Sequence, residues 1–474
     1  MTPGANDLCV FAVKRGYIEN KRYDALGVYN RIVLSTEYIY PTELLGNITK
    51  SFSGGTPSKS EEGIIRYWNG TIPWVSPKDF KSFYIDDTED HITEEAITCS
   101  ATQSVEPNSV LVVVRSGILK HTLPVAINRV RMTINQDVKV LVTNEKVLPE
   151  YLGFYLKACE NRILKLCVKH STTVQSVNTK EFFNIEIPIP DLCKQSELVA
   201  RMNDALLSYQ SKRNLANKLL LSHTAIVLNR LGIKFSTSKG KLTYAIRLTS
   251  VADRIDADYY SPRFEGFRQQ IETTAYPTAA IGDISNRIIT GFAAGKQDQA
   301  DDLPDDQRVA QLRPFSITPE GELSFETKKY VPKDRLKSED YCQKGEVIFN
   351  NTNSPDLVGK TTVFDQDVLC ATSNHMTRIT VKDGVNPYYV AAFFNVLLSI
   401  GYWKLLCTNF NNQAGVNIET LKKVRIPLPD ISVQNEIAAE IMRRRSQANQ
   451  LRKEAAKEWT KAKAQFEREL LGES

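Results

Sequence analysis

Hydrophobic residues recur every three or four positions in two long stretches, one in the middle of the chain and one at its end. In the first, from about Lys194 to Leu231, the apolar or small residues are Leu198, Met202, Ala205, Tyr209, Ala216, Leu219 and Ile226. In the second, from about Val433 to Leu471, they are Ile437, Ile441, Ala448, Leu451, Ala455, Ala462 and Phe466. This period predicts two amphipathic helices of about 40 residues, each about 60 Å long and with one apolar seam.

The segment before each long helix shows a different pattern of short apolar runs between turns. Val110–Val114 and Glu346–Phe349 predict buried strands at corresponding places in the two halves. Pro149–Leu156 and Pro387–Phe394 predict matching helices, each with a proline near its start. The pattern therefore predicts an α+β chain in which each half contains strands and helices and ends in a long helix.

The two halves also share sequence. Ile187-Pro-Ile-Pro-Asp191 recurs as Ile426-Pro-Leu-Pro-Asp430, which places the same extended, proline-containing boundary before each long helix. The further matches are Val177-Asn178 with Val416-Asn417, Gln195 with Gln434, Glu197 with Glu436, Leu45–Ile48 with Ile281–Ile284, Arg22–Ala25 with Arg254–Ala257, and Phe11–Lys14 with Tyr244–Arg247. Because these matches are collinear along nearly the whole chain, we interpret it as a tandem duplication.

Asp191 and Asp430 precede the helical runs, where a side-chain oxygen can cap free N–H groups. Each long helix has a single apolar seam, and the two helices bury these seams most easily by packing against each other. Because each half contributes one helix, such a pair is antiparallel and pseudo-twofold symmetric. The alternative is that each helix lies separately on its own domain.

Composition restricts the function classes only in part. A chain of 474 residues is too long for one ordinary core, and its 42% hydrophobic and 24% charged residues are typical of a globular protein. The formal net charge of +5 permits an anionic partner without favouring one, so any nucleic-acid surface must be local. The eight cysteines form no Cys-x-x-Cys pair, which argues against a zinc site or a disulfide framework and favours reduced thiols.

The N-terminal residues Met1–Asp7 lack the pattern of a signal peptide, and no apolar run is long enough for a membrane span. We therefore expect a cytoplasmic protein that does not contact a membrane.

The sequence contains no recognised catalytic motif and predicts neither a catalytic centre nor a metal site. The chain contains no Pro-Pro pair, so the motif usual in DNA aminomethyltransferases is missing. Gly291–Gln297 is one residue too short for a phosphate-binding loop and has Gln in place of the magnesium ligand. The five histidines show no metal-ligand spacing.

Three features of the chain resemble the specificity subunits of type I restriction-modification enzymes. The first is the pair of Ile-Pro-x-Pro-Asp boundaries that lead into long helices. The second is Gly54–Ser58 followed by Tyr67–Asp79, and the third is Val347–Lys360 in the second half. The resemblance covers residues 11–471.

The resemblance implies two tandem α/β target-recognition domains separated by two long antiparallel coiled-coil helices. The implied boundaries are 1–190 for the first domain, 191–235 for the central helix, 236–429 for the second domain and 430–474 for the C-terminal helix. Each domain then recognises one half of a bipartite double-stranded DNA site, and the paired helices set the distance between them.

The resemblance also implies partners that carry the chemistry. Two methyltransferase subunits methylate adenine N6, and two restriction subunits are permitted but not required. The chain itself then holds no cofactor, because S-adenosylmethionine, ATP and magnesium belong to the partner subunits.

Base recognition needs Arg, Lys, Asn or Gln on base edges, while Lys, Arg and hydroxyl groups contact phosphates. Polar loops in each half supply such side chains. The candidates in the first half are Thr56, Ser58, Lys59, Lys78, Arg115, Ser116, Lys120, His121, Lys169, His170, Thr172 and Gln175. Those in the second half are Lys296, Gln297, Asn350, Asn351, Thr352, Asn353, Asn409, Asn411, Asn412 and Gln413.

The Arg-, Lys- and His-containing loops of the first half differ from the Asn- and Gln-rich loops of the second. This difference predicts two unlike half-sites and therefore an asymmetric target. Two other functions remain open from the sequence: a recognition subunit of a type IIB-like restriction–methylation enzyme, and a scaffold whose repeated domains bind proteins instead of DNA.

Overall fold

The computed structural model describes residues 37–169, 174–235, 243–246, 251, 256–410 and 413–472. The chain forms two compact units. One comprises the residues up to Ser211 together with Glu454 onwards, and the other comprises Lys212–Lys453. Each unit contains one globular region, called here the first head (37–190) and the second head (256–429), and parts of both long helices. The predicted matches at Phe11–Lys14 and Arg22–Ala25, and parts of their counterparts near 247 and 254, lie outside the described residues.

Two mixed sheets form the centre of the first head. The larger has the strand order Thr49–Ser53, Val138–Thr143, Val110–Val113, Val125–Asn128 and Tyr84–Ile85. The smaller has the order Asp90–Ile92, Trp68–Val75, Met132–Ile134 and Gln103–Val105. Val110–Val113 is buried at every position, as its unbroken apolar run predicts.

Short helices cover the larger sheet of the first head. They are Leu45–Ile48, Pro149–Ala158, Glu160–Cys167 and Thr179–Phe183, with Glu61–Tyr67 and Glu94–Cys99 beside the smaller sheet. The helix at Pro149–Ala158 confirms the predicted one and buries Tyr151, Phe154 and Tyr155. Phe154 stacks on Phe83 with ring centroids 4.2 Å apart. These aromatic rings join the helix layer to the sheet in one core.

The second head repeats this arrangement. Its larger sheet has the order Ser285–Thr290, Met376–Val381, Val347–Asn350 and Thr361–Val363, and its smaller one has the order Tyr330–Pro332, Arg308–Leu312 and Cys370–Thr372. Three further strands pair in the order Thr352–Asn353, Gln413–Gly415 and Thr408–Phe410. The helices are Pro262–Thr273, Pro387–Ser399, Tyr402–Leu406 and Ile418–Lys423. The predicted strand at Val347 and helix at Pro387 are confirmed.

The repeated Ile-Pro-x-Pro boundary has the same construction in both heads. Glu186–Pro188 pairs antiparallel with Thr42–Leu44, and Arg425–Pro427 pairs antiparallel with Thr278–Ala280. A buried tyrosine hydroxyl donates to the carbonyl of the first proline each time. The bonds are Tyr151 to Pro188 at 2.7 Å and Tyr389 to Pro427 at 2.6 Å.

A buried glutamine then closes the boundary in each half. Gln195 donates its Nε2 to the Pro190 carbonyl at 2.8 Å, and its Oε1 accepts from Leu148 N at 2.9 Å. Gln434 donates to the Pro429 carbonyl at 2.8 Å and accepts from Asn386 N at 2.9 Å. The repeated Gln thus bonds backbone groups of the same two segments, which explains why it recurs with the prolines.

The long helices are Leu192–Leu221, followed by the shorter His223–Arg230, and Ile431–Leu471. The first was predicted as one helix to Leu231, but it is interrupted at Ser222. The Ser222 hydroxyl donates to the Leu219 carbonyl at 2.5 Å and so competes with the backbone ladder. Asp191 caps the first helix by accepting from Lys194 N at 2.8 Å, as predicted. At Asp430 the bonds found among the described residues are to its backbone carbonyl, which accepts from Val433 N at 3.0 Å and from Gln434 N at 3.1 Å.

Within each unit, the parts of the two long helices run antiparallel. In the first unit, Lys194 bonds to Glu469 at 3.1 Å and Ser208 bonds to Glu458 at 3.1 Å. The apolar seam there includes Leu198, Met202 and Phe466, all buried.

In the second unit, Arg452 bonds to Asn217 at 3.1 Å, and Arg230 bonds to Glu436 at 2.6 Å. Ala448 and Ile441 are buried in this part of the seam. In both units the residue numbers of the bonded partners change in opposite directions along the two helices, as required for antiparallel neighbours.

Candidate nucleic-acid interface

A close backbone approach positions the first loop of each head. Gly54 directly follows the strand Thr49–Ser53 of the larger sheet, and a Cβ at this position would lie 2.0 Å from the Ile134 carbonyl oxygen. Gly291 directly follows the corresponding strand Ser285–Thr290 of the second head, and its Cβ would lie 2.2 Å from the Thr372 carbonyl oxygen. Only glycine fits such a contact. Both loops are therefore held against the last residue of a strand of the smaller sheet, Met132–Ile134 in the first head and Cys370–Thr372 in the second.

Three loops of the first head converge at this place. The Thr56 hydroxyl donates to Gln136 Oε1 at 2.7 Å, and Val114 N donates to the Asp137 carbonyl at 2.8 Å. Ser116 N donates to the Gln175 carbonyl at 3.1 Å. These bonds link the Gly54–Lys59 loop, the Arg115–His121 loop and the loop around Gln175.

The candidate side chains of the first head differ in whether they already contact other side chains. Arg115, Lys120 and His121 are exposed, and no side-chain hydrogen bond or ion pair of theirs is found among the described residues. Lys59 lies over the Trp68 ring, 4.8 Å from its centroid. Lys78 forms ion pairs with Asp90 at 2.9 Å and Glu89 at 3.2 Å, and the bond to Asp90 is the main cause of its raised pKa.

The remaining first-head candidates are less available to a ligand. Gln175 is 1% exposed, so its side chain belongs to the interior. Ser58 is exposed and its hydroxyl is bonded to that of Ser60 at 3.0 Å. Ser116 Oγ accepts from Ile118 N at 3.4 Å and caps the one-turn helix Gly117–Lys120. The Lys169 backbone pairs with Ser176, while His170 and Thr172 lie outside the described residues.

The corresponding place in the second head is an open polar cavity of about 640 Å³. Three of the predicted residues line it: Thr352, Asn353 and Gln413. The strand pairing explains their meeting, because Thr352–Asn353 pairs with Gln413–Gly415. In the first head, Arg115 forms the equivalent bridge with Ser176. The Arg115 and Thr352 loops are therefore counterparts.

Two predicted residues of the second head are buried beneath this cavity. Asn350 is 0% exposed, and its Nδ2 donates to the Leu357 carbonyl at 3.3 Å. Asn351 donates to the Asn374 carbonyl at 3.2 Å and to Thr377 Oγ1 at 2.9 Å. Their side-chain amides thus form hydrogen bonds to the loops that border the cavity. Because both residues are buried, a ligand on the surface could not contact them directly.

The other predicted residues of the second head lie on the surface or outside the residues that the structure describes. Lys296 and Gln297 are exposed on the one-turn helix Lys296–Asp298, and Asn409 is exposed on its strand. Asn411 and Asn412 lie outside the described residues.

The cavity also contains residues that the sequence did not single out as ligands. Arg313, Phe315, Asn374 and His375 line it together with the buried Lys360. Lys360 donates its Nζ to the carbonyls of Pro314 at 2.8 Å and of Ile317, and burial lowers its pKa. One signal pointed to this turn: Ser76-Pro77, at the end of a parallel strand, is matched by Arg313-Pro314 at the end of the counterpart strand.

A model of the family described as "Type I restriction modification DNA specificity domain" matches residues 43–220 and 315–458, together more than half of the chain. The chain belongs to this family. Both halves therefore match a DNA specificity domain, and the site described above lies on the head of each half.

Two curated proteins that are similar to this chain are specificity subunits of type I restriction enzymes. The chain is 40% identical over 156 residues to the EcoR124I/EcoR124II specificity subunit of Escherichia coli, a match that covers 33% of this chain and 38% of the relative. It is 27% identical over 166 residues to the MjaIX specificity subunit of Methanocaldococcus jannaschii, covering 34% of this chain and 37% of the relative. The chain thus matches less than two thirds of these relatives' length.

Solved structures of similar description cover more of the chain. The S subunit of a type I restriction-modification system from M. genitalium covers 92% of this chain and 97% of its own, with 9% identity and a TM-score of 0.44. A structure of a type I system described for its complex assembly and conformational transition has 14% identity and a TM-score of 0.47.

Two features of the described residues bear on other functions. No group of three or more His, Cys, Asp or Glu side chains there could hold a metal ion. Every described helix is too short or too polar to cross a membrane.

Proposed function

We propose that the chain is the non-catalytic DNA-recognition subunit of a type I restriction-modification enzyme and that each head recognises one half of a bipartite target. The observation that carries this proposal is the match of the DNA specificity domain to both halves. The polar loops support it, because both heads present their candidate side chains at the same place, beside the close approach of Gly54 or Gly291.

We further propose the division into a first target-recognition domain at 1–190, a central helix at 191–235, a second domain at 236–429 and a C-terminal helix at 430–474. The two long helices act as an antiparallel coiled coil that sets the distance between half-sites. Support comes from the antiparallel bonds found separately in each unit, such as Lys194–Glu469 and Arg230–Glu436. The duplicated boundary supports the pseudo-twofold relation of the halves.

The partners follow from the same proposal. Two copies of a methyltransferase subunit bind the duplicated frame, and two restriction subunits can join them. S-adenosylmethionine, ATP and magnesium then act in those subunits, in the cytoplasm. The role of this chain in the complex is then to recognise the DNA sequence.

The two half-sites are proposed to be unlike. In the first head the free exposed candidates are Arg115, Lys120 and His121, whereas the second head presents Asn353 and Gln413 around its cavity. Arginine favours guanine, while Asn and Gln favour adenine. Chemically different loops on equivalent frames therefore predict different bases.

The salt dependence of binding tests whether DNA is the ligand. The chain assembled with its methyltransferase subunits is titrated with a pool of random-sequence DNA duplexes. Neutralising even two phosphates makes the affinity fall roughly tenfold between about 50 and 200 mM salt. The triple variant Arg115→Ala, Lys120→Ala, His121→Ala should flatten this dependence. Affinity that does not change with salt, or no binding at all, would favour a protein-binding scaffold instead.

A further inference from the structure

We infer that Arg313 is the residue with which the second head recognises a guanine in its half-site. This inference rests on the proposed function and names one base-recognising residue within it. Arg313 lines the cavity of the second head beside Asn353 and Gln413.

The Arg313 side chain is held at its base and free at its end. Its Nε donates to Gln311 Oε1 at 3.1 Å, and Gln311 in turn donates its Nε2 to the Phe292 carbonyl at 2.9 Å. Gln311 is 2% exposed, so this support is part of the interior. No hydrogen bond or ion pair of Arg313 Nη1 or Nη2 is found in the part of the chain that the structure describes. Asp301 is bonded to Lys329 at 2.6 Å, and this bond is the main cause of its lowered pKa, to which the charge of Arg313 contributes less.

The backbone beneath Arg313 is also fixed. Arg313 N donates to the Ser316 hydroxyl at 3.1 Å, and Ser316 N donates to the Arg313 carbonyl at 2.7 Å. The buried Lys360 ammonium bonds two further carbonyls of the same turn, those of Pro314 and Ile317. An arginine on a fixed turn loses little conformational entropy when it binds, which favours a specific contact.

The first head shows that the frame does not require an arginine here. Its counterpart turn, Ser76–Asp79, uses the Ser76 hydroxyl to donate to Asp79 Oδ2 at 2.9 Å, and Ser76 N donates to the same oxygen at 2.8 Å. In the second head Ser316 takes over the bond to the turn's first N–H. The side chain at position 313 is thereby released from holding the turn and is available for a ligand.

Guanine is the base that suits this geometry. With Nε occupied, Nη1 and Nη2 remain as two parallel donors, and guanine offers two acceptors, O6 and N7, on its major-groove edge. Phe315, 48% exposed on the same turn, provides an apolar surface beside the fork. The Asn353 and Gln413 side chains on the cavity wall are suited to neighbouring adenines.

The test uses the chain assembled with its methyltransferase subunits and a random-sequence duplex pool from which bound DNA is selected. The wild-type complex should select a guanine at a position in one half-site. Arg313→Ala should lower discrimination for that base alone by roughly ten- to a hundredfold. Arg313→Lys should keep the charge but lose a similar share of discrimination, because it lacks the fork.

A second arm changes the DNA instead of the protein and has its main readout in the wild-type complex. Replacing the selected guanine by 7-deazaguanine removes the N7 acceptor and should weaken binding by the wild-type complex, with no further loss for Arg313→Ala. Arg425→Ala is the matched control, because Arg425 lies in the same head but lines a different cavity and bonds to Glu272 at 2.8 Å. It should leave the selected sequence unchanged.

Three results would overturn the inference. The first two are an unchanged guanine preference in Arg313→Ala and an equal loss of affinity for every sequence, which marks a phosphate contact. Wild-type binding that is insensitive to 7-deazaguanine would also overturn it. These failures differ from failure of the proposed function, in which the wild-type complex selects no sequence at all.

Discussion

Arg378→Ala is expected to lower the free energy of unfolding of the second unit by about 3–5 kcal/mol. The Arg378 side chain is 0% exposed and lies 3.4 Å from Glu346 Oε2, whose side chain is 1% exposed. Its guanidinium also donates to the carbonyls of Tyr341 and Glu339. Removing it leaves a buried carboxylate with less compensation, two carbonyls without their donor and a cavity, and these effects act in the same direction.

Hydrogen exchange measures this effect where it occurs. Amides of Met376–Val381 and Val347–Asn350, the strands that flank the ion pair, should lose protection in Arg378→Ala. The matched control is Lys344→Ala in the same unit, where both partners of the Asp367 pair are exposed. That change should cost less than about 1 kcal/mol. Equal protection in the two variants would show that the buried pair does not hold the sheet.

Gly291→Ala is expected to destabilise the second head by about 1–3 kcal/mol or more and to weaken DNA binding. The new Cβ would lie 2.2 Å from the Thr372 carbonyl oxygen and 2.3 Å from Thr372 Oγ1. The carbonyl oxygen cannot move without disturbing the smaller sheet, since Thr372 is the last residue of its strand and pairs with Leu312. The loop that leads to the cavity should therefore shift away from Arg313.

Gly266→Ala provides a control of opposite sign. Gly266 lies inside the helix Pro262–Thr273, and a Cβ there meets nothing within 4 Å. Alanine should stabilise that helix by up to about 1 kcal/mol. Thermal unfolding of the two variants, together with duplex binding by the assembled complex, separates the two cases. Similar shifts for both would contradict the role given to the close approach at Gly291.

The repeated frame could be predicted from sequence because its signals are local. The prolines at 188 and 427 end a strand, Gln195 and Gln434 follow at fixed spacing, and the helical seams repeat every three or four residues. Each feature needs only neighbouring residues to be recognised. The pairing of each boundary strand and the burial of its glutamine agree with that pattern.

The candidate sites were harder to predict, for two physical reasons. Arg313 and His375 line the same cavity because Arg308–Leu312 pairs in parallel with Cys370–Thr372. This pairing joins distant segments, and no local sequence pattern reveals it. A polar side chain can also face inward: Asn350 and Asn351 look like surface residues in sequence but bond loops from beneath. Composition alone does not distinguish an amide that binds a ligand from one that satisfies a carbonyl.

The most direct test of two unlike heads on one frame is to sequence the methylated adenines in DNA from cells that express this chain with its methyltransferase subunits. Two unlike heads on one frame predict a bipartite target in which two different specific segments flank a spacer of fixed length and unspecified sequence. A palindromic motif would contradict the unlike half-sites, and a single continuous motif, or no methylation that depends on this chain, would contradict both the two-head arrangement and the role in DNA recognition.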